Sequence, residues 1–194
     1  MLYQSGDVLL FWGRGFVSNV IMAKTATLDA MFLKGVSWPP SHAAIVVDYG
    51  RPVLLESTML GTHPCLVAKR PVAGVQLQDI DQRIADYGGR CEIWRADGIS
   101  QNVNRVVNAD VLSLLGTEST PNAKYDTIGA VISGTRAKLM PFETGSHDRW
   151  FCSELVSFVL SRAGCLNVRQ PDKVAPSDLR RLLKRDFYVV PRKS

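Results

Sequence analysis

The chain has 194 residues, 46% of them hydrophobic, which suits one globular domain over residues 1–194 and leaves too little for two. Its 23 Lys and Arg against 18 Asp and Glu give a net charge of +5. No internal repeat, low-complexity tract or linker divides it, which excludes repeat arrays and disordered chains.

The N-terminal Met1-Leu-Tyr-Gln-Ser-Gly-Asp7 has no basic stretch, and the apolar run Val8–Trp12 is too short for a secretory signal or a membrane span. A cytoplasmic start is therefore expected, with a phage lysis system or secretion machine as the route to any substrate outside. Gly6-Asp-Val-Leu-Leu-Phe11 reads as a first strand. Gly13-Arg-Gly15 behind it lacks both the complete dinucleotide fingerprint and the phosphate-loop lysine, so it reads as a glycine turn into a helix, and no cofactor is expected. Residues 16–24 and 28–35 form a Met-bearing apolar stretch of one or two short helices. With Arg14, Lys24 and Lys34 around it, this stretch suits core packing or, alternatively, a roof that selects an acyl chain or meets a membrane face.

Ser41-His-Ala-Ala-Ile-Val-Val-Asp48 is a β-branched run, opened by Trp38-Pro-Pro and closed by Tyr49-Gly50, and it carries one of only three histidines. Pro52-Val-Leu-Leu-Glu-Ser57 is a second strand with Glu56 alone among apolar neighbours. A hairpin centred on Tyr49 pairs residues whose numbers sum to 98, setting His42 opposite Glu56 on one face; a loop of even length would turn Glu56 to the other face. Further on, His63-Pro-Cys65, Cys91 and His147 lack the short paired spacing of zinc ligands, and no metal is expected. Without an export signal the four cysteines are expected to be free thiols, with Cys65, Cys91 and Cys165 packed.

Lys124-Tyr-Asp126 precedes an apolar helix over 127–133. Tyr125 and Asp126 are candidates to line a cleft, although Asp126 serves equally well as the helix cap. Residues 140–146 read as a connection, and the polar Gly145-Ser-His-Asp148 makes His147 a surface histidine and a weaker base than His42. Phe151-Cys-Ser-Glu-Leu-Val-Ser-Phe-Val-Leu-Ser-Arg-Ala-Gly164 has helical apolar spacing and a glycine stop. Cys152 thus sits at a helix N-terminus, where free N–H groups and the macrodipole favour thiolate over thiol. In the last helix, from about Ser177, Leu179, Leu182 and Leu183 alternate with Arg180, Arg181, Lys184 and Arg185. The basic residues suit an anionic surface contact, but the spacing is that of any solvated helix face, and no specific nucleic-acid partner is expected.

Nucleophile, base and imidazole-orienting carboxylate therefore occur in the order His42, Glu56, Cys152, with the thiol last. With Gly6–Phe11, Ser41–Val46, Leu54–Ser57, Lys124–Asp126, Phe151–Val156 and Ala175–Leu179, the chain resembles the circularly permuted papain-like cysteine hydrolases. These are a branch of the NlpC superfamily that includes YiiX-like proteins and the relatives of lecithin retinol acyltransferase. The resemblance implies Cys152 as nucleophile, His42 as general base and then acid, and Glu56 as the group that fixes the imidazole. The architecture expected is α+β, of permuted papain-like type: helices on a bent antiparallel sheet or half-barrel, with the Cys152 helix meeting the His42 strand. Three functions follow: an amidase or peptidase on cell-wall-type peptides, a lipid-directed esterase, thioesterase or acyltransferase, or a non-catalytic binding module. The oligomeric state is not legible.

Overall fold

A computed structural model describes residues 3–13, 39–59, 61, 63–117, 121, 123–125 and 149–191. It is an α+β arrangement. Strands β1 (Val8–Trp12), β2 (His42–Asp48), β3 (Pro52–Thr58), β4 (Gly74–Gln78), β5 (Arg90–Arg95) and β8 (Tyr188–Val190) form an antiparallel sheet in the order β4-β3-β2-β1-β5-β8. The short β6 (Lys124–Tyr125) and β7 (Arg149–Trp150) pair in parallel beside it. Among the described residues, four α-helices pack around the sheet: α1 (Ile80–Tyr87), α2 (Ser100–Val106), α3 (Cys152–Arg162) and α4 (Pro176–Asp186). Among the described residues, no helix is long and apolar enough to cross a membrane.

The sheet is buried on both faces, which is why its central strands read as nearly continuous apolar runs. On one face Leu10, Ala43, Ile45, Val47, Leu55 and Leu77 pack against Val103 of α2, Leu155, Val156 and Val159 of α3, and Leu179 and Leu183 of α4. On the other face Leu9, Phe11, Ala44, Val46 and Leu54 pack against Ile80 and Ile84 of α1. Side chains alternate along each strand, so His42 and Glu56 belong to the α1 face.

The β2–β3 register departs from the expected one. Val46 pairs with Leu54 and Asp48 with Pro52, so the numbers sum to 100 rather than 98 and the loop is Tyr49-Gly50-Arg51, centred on Gly50. Gly50 has φ of +74°, which a residue with a Cβ adopts only with strain. The loop is still of odd length, so the shift is by two residues and the faces are preserved: Glu56 lies diagonally from His42 instead of directly opposite.

Helix α3 ends as its sequence predicts. The Gly164 N–H donates to Ser161 at 3.0 Å and the Cys165 N–H to Leu160 at 2.8 Å, with Gly164 at φ +73°, the pattern of a Schellman stop. Helix α4 corrects an expectation. Arg180 is not a solvated charge: it donates to Glu92 of β5 at 3.2 and 3.3 Å and lies over the ring of Trp12 of β1, as Arg90 also does. It ties α4 to the sheet, while the exposed Arg181 pairs with Asp178 of its own helix. The helices expected over 16–35 and 127–133, the connection at 140–146, and Arg192 and Lys193 lie outside the described residues.

Seating of α3 on the sheet rests on fully buried side chains such as Leu155. Leu155→Ala is expected to cost about 3 kcal/mol in urea unfolding, whereas the exposed Tyr49→Ala should cost less than about 0.5 kcal/mol. Equal losses would contradict this packing.

Candidate active site

The sheet delivers the imidazole and the carboxylate. His42 opens β2, and its ring packs beside the touching pair Phe11 of β1 and Tyr87 of α1, the Tyr87 ring stacking at 5.9 Å and 20°. Its Nε2 is 2.7 Å from Glu56 Oε2. The Ser41 and Tyr87 hydroxyls meet at 3.2 Å, and Ser41 Oγ accepts from the Gly13 N–H, so the start of β2 is fastened to both neighbours.

Helix α3 delivers the thiol. Phe151 is its N-cap, and the Glu154 side chain turns back to accept the Phe151 N–H at 3.2 Å, one half of a capping box. The strand before it is fixed from β3, where Ser57 Oγ donates to the Trp150 carbonyl at 2.7 Å. Cys152 hydrogen-bonds the His42 side chain and accepts from the backbone N–H groups of Ala43 and Ser153. With Nε2 engaged by Glu56, Nδ1 is the ring nitrogen left for sulfur.

Cys152, His42 and Glu56 are therefore brought together, at 2%, 6% and 0% exposure. Tyr125 is half-buried and its backbone pairs with Trp150, two residues before the thiol. Asp126 and the rival base His147 lie outside the described residues, as do Phe16, Ile21 and Met31 of the expected roof. The fourth group, Arg83 of α1, was not anticipated from sequence. At 5% exposure, its Nε lies 2.9 and 3.1 Å from the two Glu56 oxygens. Gln76 of β4 adds a bond to Glu56 Oε1 at 3.0 Å and is itself held by Gln78. A signal for Arg83 existed: it occupies one position of the apolar stripe Ile80, Arg83, Ile84, Tyr87.

The electrostatics follow from this packing. Burial opposes the charged form of His42, but the Cys152 charge and hydrogen bond, and then Glu56, outweigh it and push its pKa up to about 9. Burial likewise opposes the Cys152 thiolate, and the His42 charge and hydrogen bond, with the Ala43 and Ser153 N–H groups, hold it below its ordinary 9.0. Glu56, against the same cost of burial, is held below 4.5 by His42 and then by Arg83. Both shifts favour the charged forms of the pair, the thiolate of Cys152 and the imidazolium of His42.

The remaining titratable clusters serve other ends. His63 pairs with Asp86 and with Gln82, and all four cysteines, Cys65, Cys91, Cys152 and Cys165, are free thiols. An open groove of about 540 Å³, lined in part by Lys173, Arg181 and Arg185, runs along α4 and does not include Cys152.

The chain is similar to a solved structure of the metalloprotein yiiX from Escherichia coli O157:H7, with a TM-score of 0.54 and 17% identity, covering 100% of this chain and 99% of that one. This likeness is one of fold. No family model and no curated protein matches the chain. Among the described residues, no three His, Cys, Asp or Glu side chains gather as a metal centre requires. The His42–Glu56 separation of 2.7 Å is that of a hydrogen bond, shorter than the roughly 3.3 Å between two ligands of one tetrahedral zinc ion.

The pKa shifts fix a pH window. His42, held up, contributes stability in full below 6.5 and loses it as pH rises through about 9. Cys152, held down, contributes in full above 9.0 and loses its contribution as pH falls. Between those limits the two contributions slope in opposite directions and offset one another. The Cys152 thiolate should therefore persist well below pH 9.0 in ultraviolet absorbance, read as wild type minus Cys152→Ala; a midpoint at 9.0 would contradict the pairing.

Proposed function

We propose that this chain is a thiol hydrolase of permuted papain-like type, acting through a covalent acyl intermediate on Cys152, with the amide bond of cell-wall-type peptides as its substrate. The observation that carries this reading is the buried contact among Cys152, His42 and Glu56, in which the thiol is held below its ordinary pKa and the imidazole above its own. A packed structural cysteine has no need of a charged imidazole, and burying one without a purpose is costly.

In this mechanism the Cys152 thiolate attacks the carbonyl carbon, forming the C–S bond as the π electrons move to oxygen. Backbone N–H groups at the start of α3 support the oxyanion. The tetrahedral intermediate collapses, and the departing amine takes its proton from the His42 imidazolium. Neutral His42 then removes a proton from water, whose oxygen attacks the thioester. The acid leaves, the thiolate is restored and His42 is again protonated. Glu56 holds the ring through Nε2 throughout, keeping Nδ1 toward sulfur and stabilising the imidazolium.

One observation favours a second reading. Cys152 is 2% exposed, as a sulfur inside a non-catalytic binding module would be. The two readings separate on acylation. Incubation with a panel of peptide amides, thioesters and phospholipid esters, followed by intact-protein mass spectrometry, should reveal an acyl adduct on Cys152 with one class. A peptide adduct supports the amidase, whereas an adduct from an ester or thioester transfers the same chemistry to a lipid-directed enzyme. No adduct and no turnover across the panel would favour the binding module. Cys152→Ala and His42→Ala should each lower turnover by at least about 10³-fold in folded protein, and Glu56→Gln by less than either. Near wild-type turnover in Cys152→Ala would overturn the mechanism.

A further inference from the structure

We infer that Arg83 is a positioning residue of this site: from helix α1 it supplies the buried positive charge that keeps Glu56 ionised and, through Glu56 and His42, keeps Cys152 a thiolate. The inference rests on the proposed thiol chemistry and extends it to a residue that does not touch the sulfur. Its basis is geometric. Arg83, Glu56, His42 and Cys152 form a row of contacts running from α1 through β3 and β2 to α3, with each member at most 6% exposed. Their charges alternate in sign, and the row sums to zero. Two further titratable groups lie against the row: Tyr87, whose ring stacks on His42 and lies 5.3 Å from the Arg83 guanidinium, and Glu154, buried in the first turn of α3, which accepts the Phe151 N–H next to Cys152.

Removing the first charge leaves three groups with a net charge of minus one in a dry environment. The cheapest remedy is to take up a proton, and the terminal thiolate is the most basic of the anions present. Arg83 also enters the site from an element separate from those that carry the other three. The docking of α1, through Ile80 and Ile84 on Leu9, Phe11, Ala44, Val46 and Leu54, is thereby coupled to the state of a thiol carried by another helix. A role in packing alone would be met by any side chain that fills the space and bonds the carboxylate.

The test is to titrate the Cys152 thiolate by ultraviolet absorbance, each protein read against its Cys152→Ala twin, in wild type, Arg83→Lys and Arg83→Gln. Gln keeps a hydrogen-bond donor for Glu56 without the charge, and Lys keeps the charge without the guanidinium. The midpoint should rise by about one pH unit or more in Arg83→Gln, an approximately tenfold loss of thiolate at fixed pH, and Lys should restore most of it. Coincident midpoints in all three proteins, with the wild-type midpoint low, would overturn the role of Arg83 while leaving the thiol chemistry standing. A wild-type midpoint no lower than an ordinary thiol's would overturn both. Should Arg83→Gln fail to fold, Glu56→Gln is compared with Glu56→Gln/Arg83→Gln. Midpoints agreeing within about 0.3 unit support action through Glu56, and a separation of about one unit overturns it.

Discussion

An ionised carboxylate with no exposed surface costs several kcal/mol unless every oxygen is met, and Glu56 is such a group. Its two oxygens are shared among His42, Arg83 and Gln76, contributed by β2, α1 and β4. Three elements other than its own strand must be correctly placed before Glu56 can be buried ionised. The demand for compensation thus fixes where α1 docks and how β4 pairs. It also leaves His42 with one ring nitrogen committed and the other free to meet the thiol.

The sheet makes this possible because both of its faces are covered. A strand buried on one face alone would expose Glu56 or turn it into the principal core, whereas here α1 closes over the polar face and α3 packs on the other. His42 stands at the very start of β2, the position from which a side chain of one face can reach a helix N-terminus supported from the opposite face. The α3 terminus adds the Ser153 N–H and β2 the Ala43 N–H to the same sulfur, so the local structure of the helix and the long-range structure of the sheet act on one atom.

Much of this was legible in the sequence. The apolar runs of β1, β2 and β3, the glycine stop of α3 and the placing of Cys152 at a helix start all follow from local pattern, and so does the sharing of a face by His42 and Glu56. The register was misplaced because Tyr49-Gly50 offers two centres for an odd loop; the positive φ of Gly50 chose the later one, and the two-residue slip left the parity intact. Arg83 and Arg180 were missed for a common reason. Each sits on an amphipathic helix where arginine usually faces water, and each is drawn inward by a carboxylate far away in sequence, Glu56 or Glu92, with an aromatic ring beside it. A local pattern cannot identify such a partner, although an arginine on an otherwise apolar stripe marks the place to look.

A thiolate lying against the ring requires His42 to carry a proton on each of its nitrogens. Nitrogen-15 NMR of the His42 imidazole tests it, recorded at a pH between the ordinary 6.5 and about 9, in wild type and in Cys152→Ala. Wild type is expected to show an imidazolium with both nitrogens protonated, and Cys152→Ala a fall toward the neutral ring, with the proton retained on Nε2 facing Glu56. A neutral imidazole in wild type, or a protonation state indifferent to Cys152, would contradict the pairing of thiolate and imidazolium.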